Sequence, residues 1–373
     1  MAGFLFLGFM MQIGFIGLGA VIETAYIPAL KRLNVSLTGC YGFDIDESRV
    51  PAGITRCDSL EALLAIQPEM VFITTGSLWH LSVLEQVLKS AVLRIVVEKP
   101  IAATLEQLDQ LQLLLAMPEN VNRVLALDHW MARDGVAQLL CGKPESDWLP
   151  EADYPAMNTP LSTLADIVKI EGYLLEPSGF NDKGEPVALN FATGEPDTRT
   201  LRHPDGVIVD IGTHVLAMMH ETLAAIGAND RLSLTLCEAK DRLGNAIAKG
   251  DTTTAEGSAH LQGELCGIPL EMWLNKYAGP AGGQKGVRLH LRNGTILSQD
   301  RRGSGEVLEV WQGENVQRWK MEGPVYDRCL ARHILGAESV FARAPEQVSQ
   351  LTQRRIAEVT ALLKLQQQLR GSH

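Results

Sequence analysis

The sequence lacks the features by which several classes of protein are recognised. Its six cysteines are scattered and form no Cys-X-X-Cys pair and no Cys/His cluster, which argues against a disulfide framework and against a zinc site. Reduced thiols are typical of the cytoplasm, so we expect a cytoplasmic protein without a bound metal. The formal net charge of −11 disfavours nucleic acids and anionic membranes as partners, and the chain contains no internal repeat.

The apolar N-terminus does not have the pattern of a signal peptide. No Lys or Arg precedes the apolar run of segment 1–19, no small-residue cleavage site follows it, and the run is too short to span a bilayer. Met11 directly precedes a strand-like pattern, so we expect residues 1–10 to be an optional extension. The length of 373 residues and the hydrophobic content of 46% predict two globular domains.

A glycine-rich turn follows the first predicted strand, residues 12–16. The turn, Gly17-Leu18-Gly19-Ala20-Val21, leads into a helical pattern, and this order is typical of the phosphate cradle of a dinucleotide-binding fold. Glycine allows the backbone to approach the pyrophosphate closely, and the helix dipole favours its negative charge. Ile22 stands where the third glycine of Gly-X-Gly-X-X-Gly is expected, which weakens the match. We therefore predict cofactor contacts at Gly17, Gly19, Ala20 and Val21.

Strand and helix patterns alternate through residues 12–127. Further strands are predicted over 35–43, 70–75, 94–97 and 121–127, and helices over 58–66, 80–90 and 104–116. This alternation predicts an α/β Rossmann domain over residues 1–127, with a parallel sheet covered by helices on both faces.

An acid follows the second predicted strand. Asp44 lies at about the spacing of a carboxylate that binds the adenine ribose hydroxyls, so it is a predicted cofactor residue and NAD is favoured over NADP. Arg49 is close enough in sequence to accommodate the 2′-phosphate of NADP, which keeps that cofactor open. An ordinary turn acid is the alternative for Asp44.

The segment Arg94-Ile95-Val96-Val97-Glu98-Lys99-Pro100 places an acid and an amine at the tip of an apolar strand. Ligands of parallel sheets bind beyond the carboxyl ends of the strands, so Glu98 and Lys99 are predicted to lie at the cofactor edge. Pro100 fixes its own torsion and restricts that of Lys99. The alternative for Lys99 is a solvated lysine at a strand end.

Three segments together resemble the glucose–fructose oxidoreductase / inositol dehydrogenase family, Gfo/Idh/MocA. They are Gly17-Leu18-Gly19 with Tyr26-Ile27-Pro28-Ala29-Leu30, Thr74-Thr75-Gly76-Ser77-Leu78-Trp79-His80, and Glu98-Lys99-Pro100. The resemblance covers nearly the whole chain and implies that Lys99 lies beside the nicotinamide and the substrate carbinol. Thr75, His80 and Glu98 are predicted cofactor contacts; the alternative for Glu98 is that it anchors Lys99, and the alternative for His80 is packing. The resemblance also implies a second catalytic motif, Asp210-Ile211-Gly212-Thr213-His214, after a predicted apolar strand over 206–209.

Lys99, Asp210 and His214 are thus the predicted catalytic residues. Asp210 and His214 are four residues apart at a predicted helix start, so they share one face of the helix. The imidazole can accept the hydroxyl proton of a secondary alcohol, and the carboxylate can orient the imidazole. Lys99 can donate a hydrogen bond to the developing alkoxide. The alternative for His214 is a core histidine.

The segment Leu127-Asp128-His129-Trp130-Met131-Ala132-Arg133 resembles the DHYLGK segment of glucose-6-phosphate dehydrogenases. This resemblance implies that His129 and Arg133 hold a sugar phosphate, so the predicted substrate contacts are Lys99, His129, Arg133 and His214. The alternative is a surface helix turn.

Residues 128–373 are predicted to form an α+β domain for substrate binding and oligomerisation. Strands over 167–175, 232–239, 256–265, 269–275, 286–292 and 306–311 are expected to form one large, mainly antiparallel sheet, followed by helices from about 325 to 368. One face of the sheet should cover the helix that carries His214. The other face should pair with a second subunit, giving a homodimer or a homotetramer.

These features predict an NAD(P)-dependent oxidoreductase, with NAD as the favoured cofactor and NADP as the less favoured one. The predicted substrate is a sugar, cyclitol or related polyol with a secondary alcohol, including phosphorylated forms. Two alternatives remain: a glycosidase that uses tightly held NAD for a transient oxidation, and a catalytically silent regulator that senses a ligand. The intact Lys99, Asp210 and His214 count against a silent regulator.

Overall fold

The computed structural model describes residues 11–142, 144, 146–154, 163–189, 194–197, 201–278, 283–302, 305–337 and 339–371. Residues 1–10, predicted as an optional extension, lie outside the described residues. The chain divides into two compact units: residues up to Ala132 with Pro324–Val359, and Arg133–Gly323 with residues from Thr360 onward. The predicted division at 127/128 is continuous along the chain, whereas the first unit of the structure also includes a C-terminal segment.

A parallel sheet forms the centre of the first unit and confirms the predicted Rossmann architecture. Its strands are β1 (Ile13–Ile16), β2 (Cys40–Phe43), β3 (Thr55–Arg56), β4 (Met70–Ile73), β5 (Arg94–Val97) and β6 (Val124–Ala126). They lie in the order β3-β2-β1-β4-β5-β6. β1 and β4 are apolar and buried along their whole length, as expected of central strands that helices cover on both faces.

Helices connect these strands. They are a π-helical turn (Ile22–Tyr26) continued by α1 (Ile27–Arg32), then α2 (Leu60–Ala65), α3 (His80–Leu88) and α4 (Leu105–Leu115). The side chains of Ser59 and Thr104 begin α2 and α4 by accepting a hydrogen bond from a backbone N–H of the first turn. The strand predicted over 35–43 begins only at Cys40, because Ser36 caps a 3-10 turn over Leu37–Gly39.

A C-terminal segment completes the first unit. It consists of α8 (Val325–Cys329), a π-helical turn (Leu330–Ile334), α9 (Val340–Arg343) and the first part of α10 (Pro345–Arg370). Its apolar side chains belong to the same core as those of β1 and β4. The Thr352 hydroxyl accepts a hydrogen bond from the Ala126 nitrogen (3.0 Å) and donates one to the Val124 carbonyl (2.7 Å). Helix α10 therefore satisfies backbone groups of the edge strand β6, which explains why this segment belongs to the first unit.

A large mixed sheet forms the second unit. Its strands are β7 (Leu149–Pro150), β8 (Ile167–Leu175), β11 (Leu232–Lys240), β12 (Ser258–Leu265), β13 (Ile268–Asn275), β14 (Gln284–Leu291), β15 (Ile296–Arg302), β16 (Gly305–Gln312) and β17 (Asn315–Met321); a hairpin of β9 (Ser178–Phe180) and β10 (Pro186–Ala188) is separate. The order is β11-β12-β13-β8-β14-β15-β16-β17-β7. β13 and β8 pair in parallel and the other neighbours are antiparallel, which confirms the predicted mainly antiparallel sheet.

Three helices of the second unit are α5 (Gly135–Leu140), α6 (Val207–Asp210) and α7 (Gly212–Ala224). α7, which carries His214, packs on β8 as expected: a Cβ on Gly172 would overlap Val215 and Met219, so glycine permits the close approach. None of the helices among the described residues is long and apolar enough to cross a membrane.

The strand predicted over 206–209 was wrong. Val207–Asp210 is the short helix α6, and only Ile211, with φ −110°, separates it from α7. The Val207 nitrogen donates to the Glu256 carbonyl at 3.0 Å, and the three apolar residues of the helix are buried. A short apolar run fits a buried strand or a buried helix equally well, so its periodicity could not decide.

Candidate functional site

The glycine turn at the carboxyl end of β1 requires its first glycine. Gly17 has φ +93°, and a Cβ there would lie 2.7 Å from the Thr75 nitrogen. Its nitrogen donates to the Phe43 carbonyl (2.8 Å), and its carbonyl accepts from the Thr74 hydroxyl (2.6 Å). Gly17 is thus pressed between the ends of β2 and β4, a position that no residue with a side chain fits. Gly19, Ala20 and Val21 follow it, at the start of the helical segment.

Asp44 braces this turn from the end of β2. Its carboxylate is half-buried and accepts hydrogen bonds from the Leu18 nitrogen (2.6 Å) and the Asp46 nitrogen (2.8 Å), one on each oxygen. Each carboxylate oxygen has a second lone pair with which to accept a ribose hydroxyl. The Arg49 guanidinium lies within 3.5 Å of the position a Cβ would take on Gly19, and its Nε is 3.3 Å from Asp46. Carboxylate and guanidinium thus both flank the turn.

His80 joins the ends of β4 and β5. Its two ring nitrogens lie 2.9 Å from the Pro100 carbonyl and 2.9 Å from the Thr75 carbonyl. Burial lowers the pKa of His80, since the ring is 1% exposed. Thr75 Oγ1 is buried with no hydrogen-bond partner among the described residues. The edge therefore combines an immobilised imidazole with a hydroxyl whose hydrogen-bonding capacity is unused.

Glu98 and Lys99 follow β5 directly. Glu98 is 7% exposed, and its carboxylate accepts hydrogen bonds from the Tyr26 hydroxyl (2.6 Å) and from the Lys99 nitrogen (3.1 Å). Burial raises the pKa of Glu98, and these two donors counteract the rise. Lys99 is half-buried, and the Lys99–Pro100 peptide is cis. The Glu98 side chain therefore points into the protein interior, and Lys99 lies just beyond the carboxyl end of β5.

Asp210 and His214 lie in the second unit. Asp210 ends α6 and pairs with Lys276, whose Nζ donates to the carboxylate at 3.0 Å. Lys276 follows β13 and its side chain is 14% exposed, whereas the carboxylate side chain of Asp210 is 38% exposed, so only the ammonium is shielded from water. His214 is buried in the first turn of α7 and is 8% exposed.

The predicted phosphate contacts lie in different environments. His129, in the first unit, begins a 3-10 turn and stacks on Tyr326 with ring centroids 4.0 Å apart. Arg133, in the second unit, is 1% exposed and donates to Glu306 (2.7 Å) and to the Lys285 carbonyl (2.7 Å). A guanidinium held by a buried carboxylate does not support the phosphate role. The alternative of a surface turn is also wrong, because residues 130–133 are buried.

Comparison with known proteins identifies the first unit. Residues 11–125 match the model of GFO_IDH_MocA, an oxidoreductase family with an NAD-binding Rossmann fold. This domain belongs to the Gfo/Idh/MocA oxidoreductase family. No curated protein matches the sequence.

Solved structures resemble the whole chain in fold. A UDP-N-acetylglucosamine 3-dehydrogenase from Acidithiobacillus ferrooxidans has 18% identity and a TM-score of 0.64, over 96% of this chain and 97% of its own. A 3-ketoreductase from Actinomadura kijaniata, in complex with TDP-benzene and NADP, has 13% identity and a TM-score of 0.59, over 94% and 96%. A putative NADPH-dependent oxidoreductase from Desulfitobacterium hafniense has 16% identity and a TM-score of 0.60, over 94% of each chain.

The Gfo/Idh/MocA domain of this protein fits a nicotinamide dinucleotide. Gly17 leaves room for close backbone approach, Asp44 has remaining acceptor capacity, and Thr75 has an unused buried hydroxyl. The roles of two residues at these sites could not be predicted from the sequence. Tyr26 was noticed only as part of a motif, and Lys276 had no signal beyond its position directly after an apolar strand.

Proposed function

We propose that the protein is an NAD(P)-dependent oxidoreductase that interconverts a secondary alcohol and a ketone on a sugar, cyclitol or related polyol. The observation that carries this proposal is the position of Lys99. It follows β5 at the carboxyl edge of a Gfo/Idh/MocA Rossmann sheet, and its backbone nitrogen is held by a buried glutamate. Ligands of such sheets bind at this edge, which is where the proposal places the reacting oxygen.

The residues of the glycine turn would hold the cofactor. A bound oxidised nicotinamide supplies the hydride acceptor. Gly17 would let the turn approach the pyrophosphate closely and Gly19 would contact it through its backbone, while Asp44 would accept hydrogen bonds from the adenine ribose hydroxyls and Thr75 would offer its hydroxyl. His80 would shape the edge without contacting the cofactor through its ring nitrogens, because both lie against backbone carbonyls. Glu98 would contact the cofactor through the second lone pairs of its carboxylate oxygens, each of which accepts one hydrogen bond from the protein.

Proton transfer is assigned to three side chains. Lys99 would donate a hydrogen bond to the carbinol oxygen as negative charge develops on it. His214 would accept the hydroxyl proton during oxidation and return it during reduction. Asp210, whose charge Lys276 balances, would set the orientation of His214. The protein gains one proton for each hydride that leaves the alcohol carbon, and the product is a ketone.

The substrate class is supported by the names of the structural neighbours. One is a UDP-N-acetylglucosamine 3-dehydrogenase and another is a 3-ketoreductase bound to TDP-benzene and NADP. A sugar, including one linked to a nucleoside diphosphate, is therefore the first substrate class to test. The predicted homo-oligomer and the predicted cytoplasmic location stay predictions.

NAD is the proposed cofactor, because a 2′-phosphate would meet the carboxylate of Asp44. Arg49 is the residue that would reverse this preference, since its guanidinium lies near Gly19. Fluorescence titration of NADH and NADPH into the parent and into Asp44→Ala and Arg49→Ala tests the assignment. Tighter NADPH binding in the parent, lost in Arg49→Ala, would overturn it.

Turnover of a sugar panel tests the reaction itself. The panel comprises free sugars, cyclitols, sugar phosphates and nucleotide sugars, each assayed for NAD(H) absorbance and for ketone product. Lys99→Ala serves as the inactive comparison. Release of free sugar without net change in NADH would favour the glycosidase, and ligand binding without turnover would favour the regulator.

A further inference from the structure

The buried glutamate at the end of β5 has a partner from a distant part of the chain. The Tyr26 hydroxyl donates to Glu98 Oε1 at 2.6 Å, across 72 residues of sequence. The other carboxylate oxygen, Oε2, accepts from the Lys99 nitrogen at 3.1 Å. One carboxylate thus joins the first helical segment to the backbone of the lysine.

Tyr26 has no freedom to point elsewhere. It is fully buried, and its ring packs edge-on against Phe72 (5.1 Å between centroids), Phe15 (6.0 Å) and Tyr326 (5.8 Å). It also ends the π-helical turn that follows the glycine turn. A π-helical turn is rare and is often found at functional sites. The packing therefore holds the Tyr26 ring in one orientation between the glycine turn and β5.

The electrostatics of the pair favour a neutral phenol that donates to a carboxylate. Burial, together with the charge of Glu98, raises the pKa of Tyr26 well above its ordinary value, so the phenol keeps its proton. Burial raises the pKa of Glu98 as well, and the Tyr26 hydroxyl is the first of the contacts that counteract it. Without that donor, a buried carboxylate oxygen would lose its short hydrogen bond.

We propose that Tyr26 is a positioning residue for Lys99, which it holds indirectly by fixing the carboxylate of Glu98. The catalytic part of this inference rests on the proposed function, whereas the positioning part does not. Because Tyr26 ends the segment that begins at the glycine turn, the same contact ties the lysine backbone to the cofactor cradle.

Amide hydrogen exchange at Lys99, measured by NMR, tests positioning without any substrate. Tyr26→Phe keeps the aromatic packing and removes only the hydroxyl, so exchange at Lys99 should become about tenfold faster. Glu98→Ala should accelerate it at least as much, while Glu98→Gln, which keeps one of the two acceptor oxygens, should accelerate it less than Glu98→Ala. Tyr41→Phe removes a phenol from β2 of the same unit and should leave the exchange unchanged.

Kinetics then test whether the positioning matters. Tyr26→Phe should lower kcat about tenfold while the Kd for cofactor and the KM for substrate stay at the parent values. Tyr26→Phe combined with Glu98→Ala should be no slower than Glu98→Ala alone, since the tyrosine acts through the carboxylate.

Unchanged exchange at Lys99 in Tyr26→Phe would overturn the inference, as would fully additive effects in the double variant. Faster exchange at Lys99 in Tyr26→Phe than in the parent, together with a parent that oxidises no member of the sugar panel, would support the positioning role and reject the proposed function. The two failures are therefore distinguishable.

Discussion

Replacing Arg133 with methionine should destabilise the protein by about 3–5 kcal/mol, because the substitution leaves a buried carboxylate without its cation. Arg133 and Glu306 have side chains that are 1% and 3% exposed, and they are joined at 2.7 Å. The second guanidinium donation, to the Lys285 carbonyl at 2.7 Å, is lost as well. Of the contacts to Glu306, the hydrogen bond from Gln299 (3.1 Å) stays in place, and a neutral donor cannot replace the charge.

Urea unfolding followed by circular dichroism measures this loss. The matched control is Lys320→Met, which breaks an ion pair of similar length with Glu151 (2.6 Å) between side chains that are 56% and 31% exposed. That control should cost no more than about 1 kcal/mol, since water screens an exposed pair. Arg133→Met combined with Glu306→Leu should recover most of the lost stability, because no buried charge is then left unpaired.

The same variant decides between the two readings of Arg133. A structural brace predicts an earlier urea midpoint and equal fractional losses of kcat/KM for a sugar and its phosphate. If Arg133→Met unfolds at the parent midpoint and loses kcat/KM only for the sugar phosphate, the reasoning from burial is refuted and the phosphate role stands.

Three further predictions concern the first unit and the proposed chemistry. Gly17→Ala should weaken cofactor binding about tenfold or more, from strain of about 1–3 kcal/mol, whereas Gly184→Ala, at a positive φ in open space, should not. Lys99→Ala and His214→Ala should each lower kcat by about 10²–10⁴-fold with the cofactor Kd intact; near-parental turnover would show a structural role. Burial raises the pKa of Glu98, so above about pH 4 the native state binds more protons than the unfolded chain. The free energy of unfolding of the parent should therefore fall with rising pH relative to that of Glu98→Gln, and parallel curves for the two proteins would contradict this.

Elements governed by local patterns could be predicted. β1, β4 and β5 are short, apolar and nearly fully buried, so their sequences indicated a parallel sheet. β15 was missed because Gln299 and Asp300 interrupt the apolar pattern, although both are buried in the structure. Gln299 accepts from the Gly135 nitrogen (2.8 Å), a partner 164 residues away. A buried polar residue is stabilised by its partner, and a strand pattern does not reveal that partner.

The residues of the candidate site also differ in how far local sequence patterns predict them. The position of Lys99 followed from a general rule, since the carboxyl end of a parallel strand faces the ligand edge whatever the rest of the chain does. No comparable rule predicts from the sequence whether a charged side chain points toward the ligand edge or into the protein. Glu98 turns inward because Tyr26, 72 residues earlier, supplies a donor, and Arg133 is buried because Glu306, 173 residues later, supplies a charge. Whether a charged residue of a motif contacts a ligand or stabilises the fold therefore depends on the residue that the tertiary structure places beside it. Variants that remove this second residue distinguish a ligand contact from a structural role.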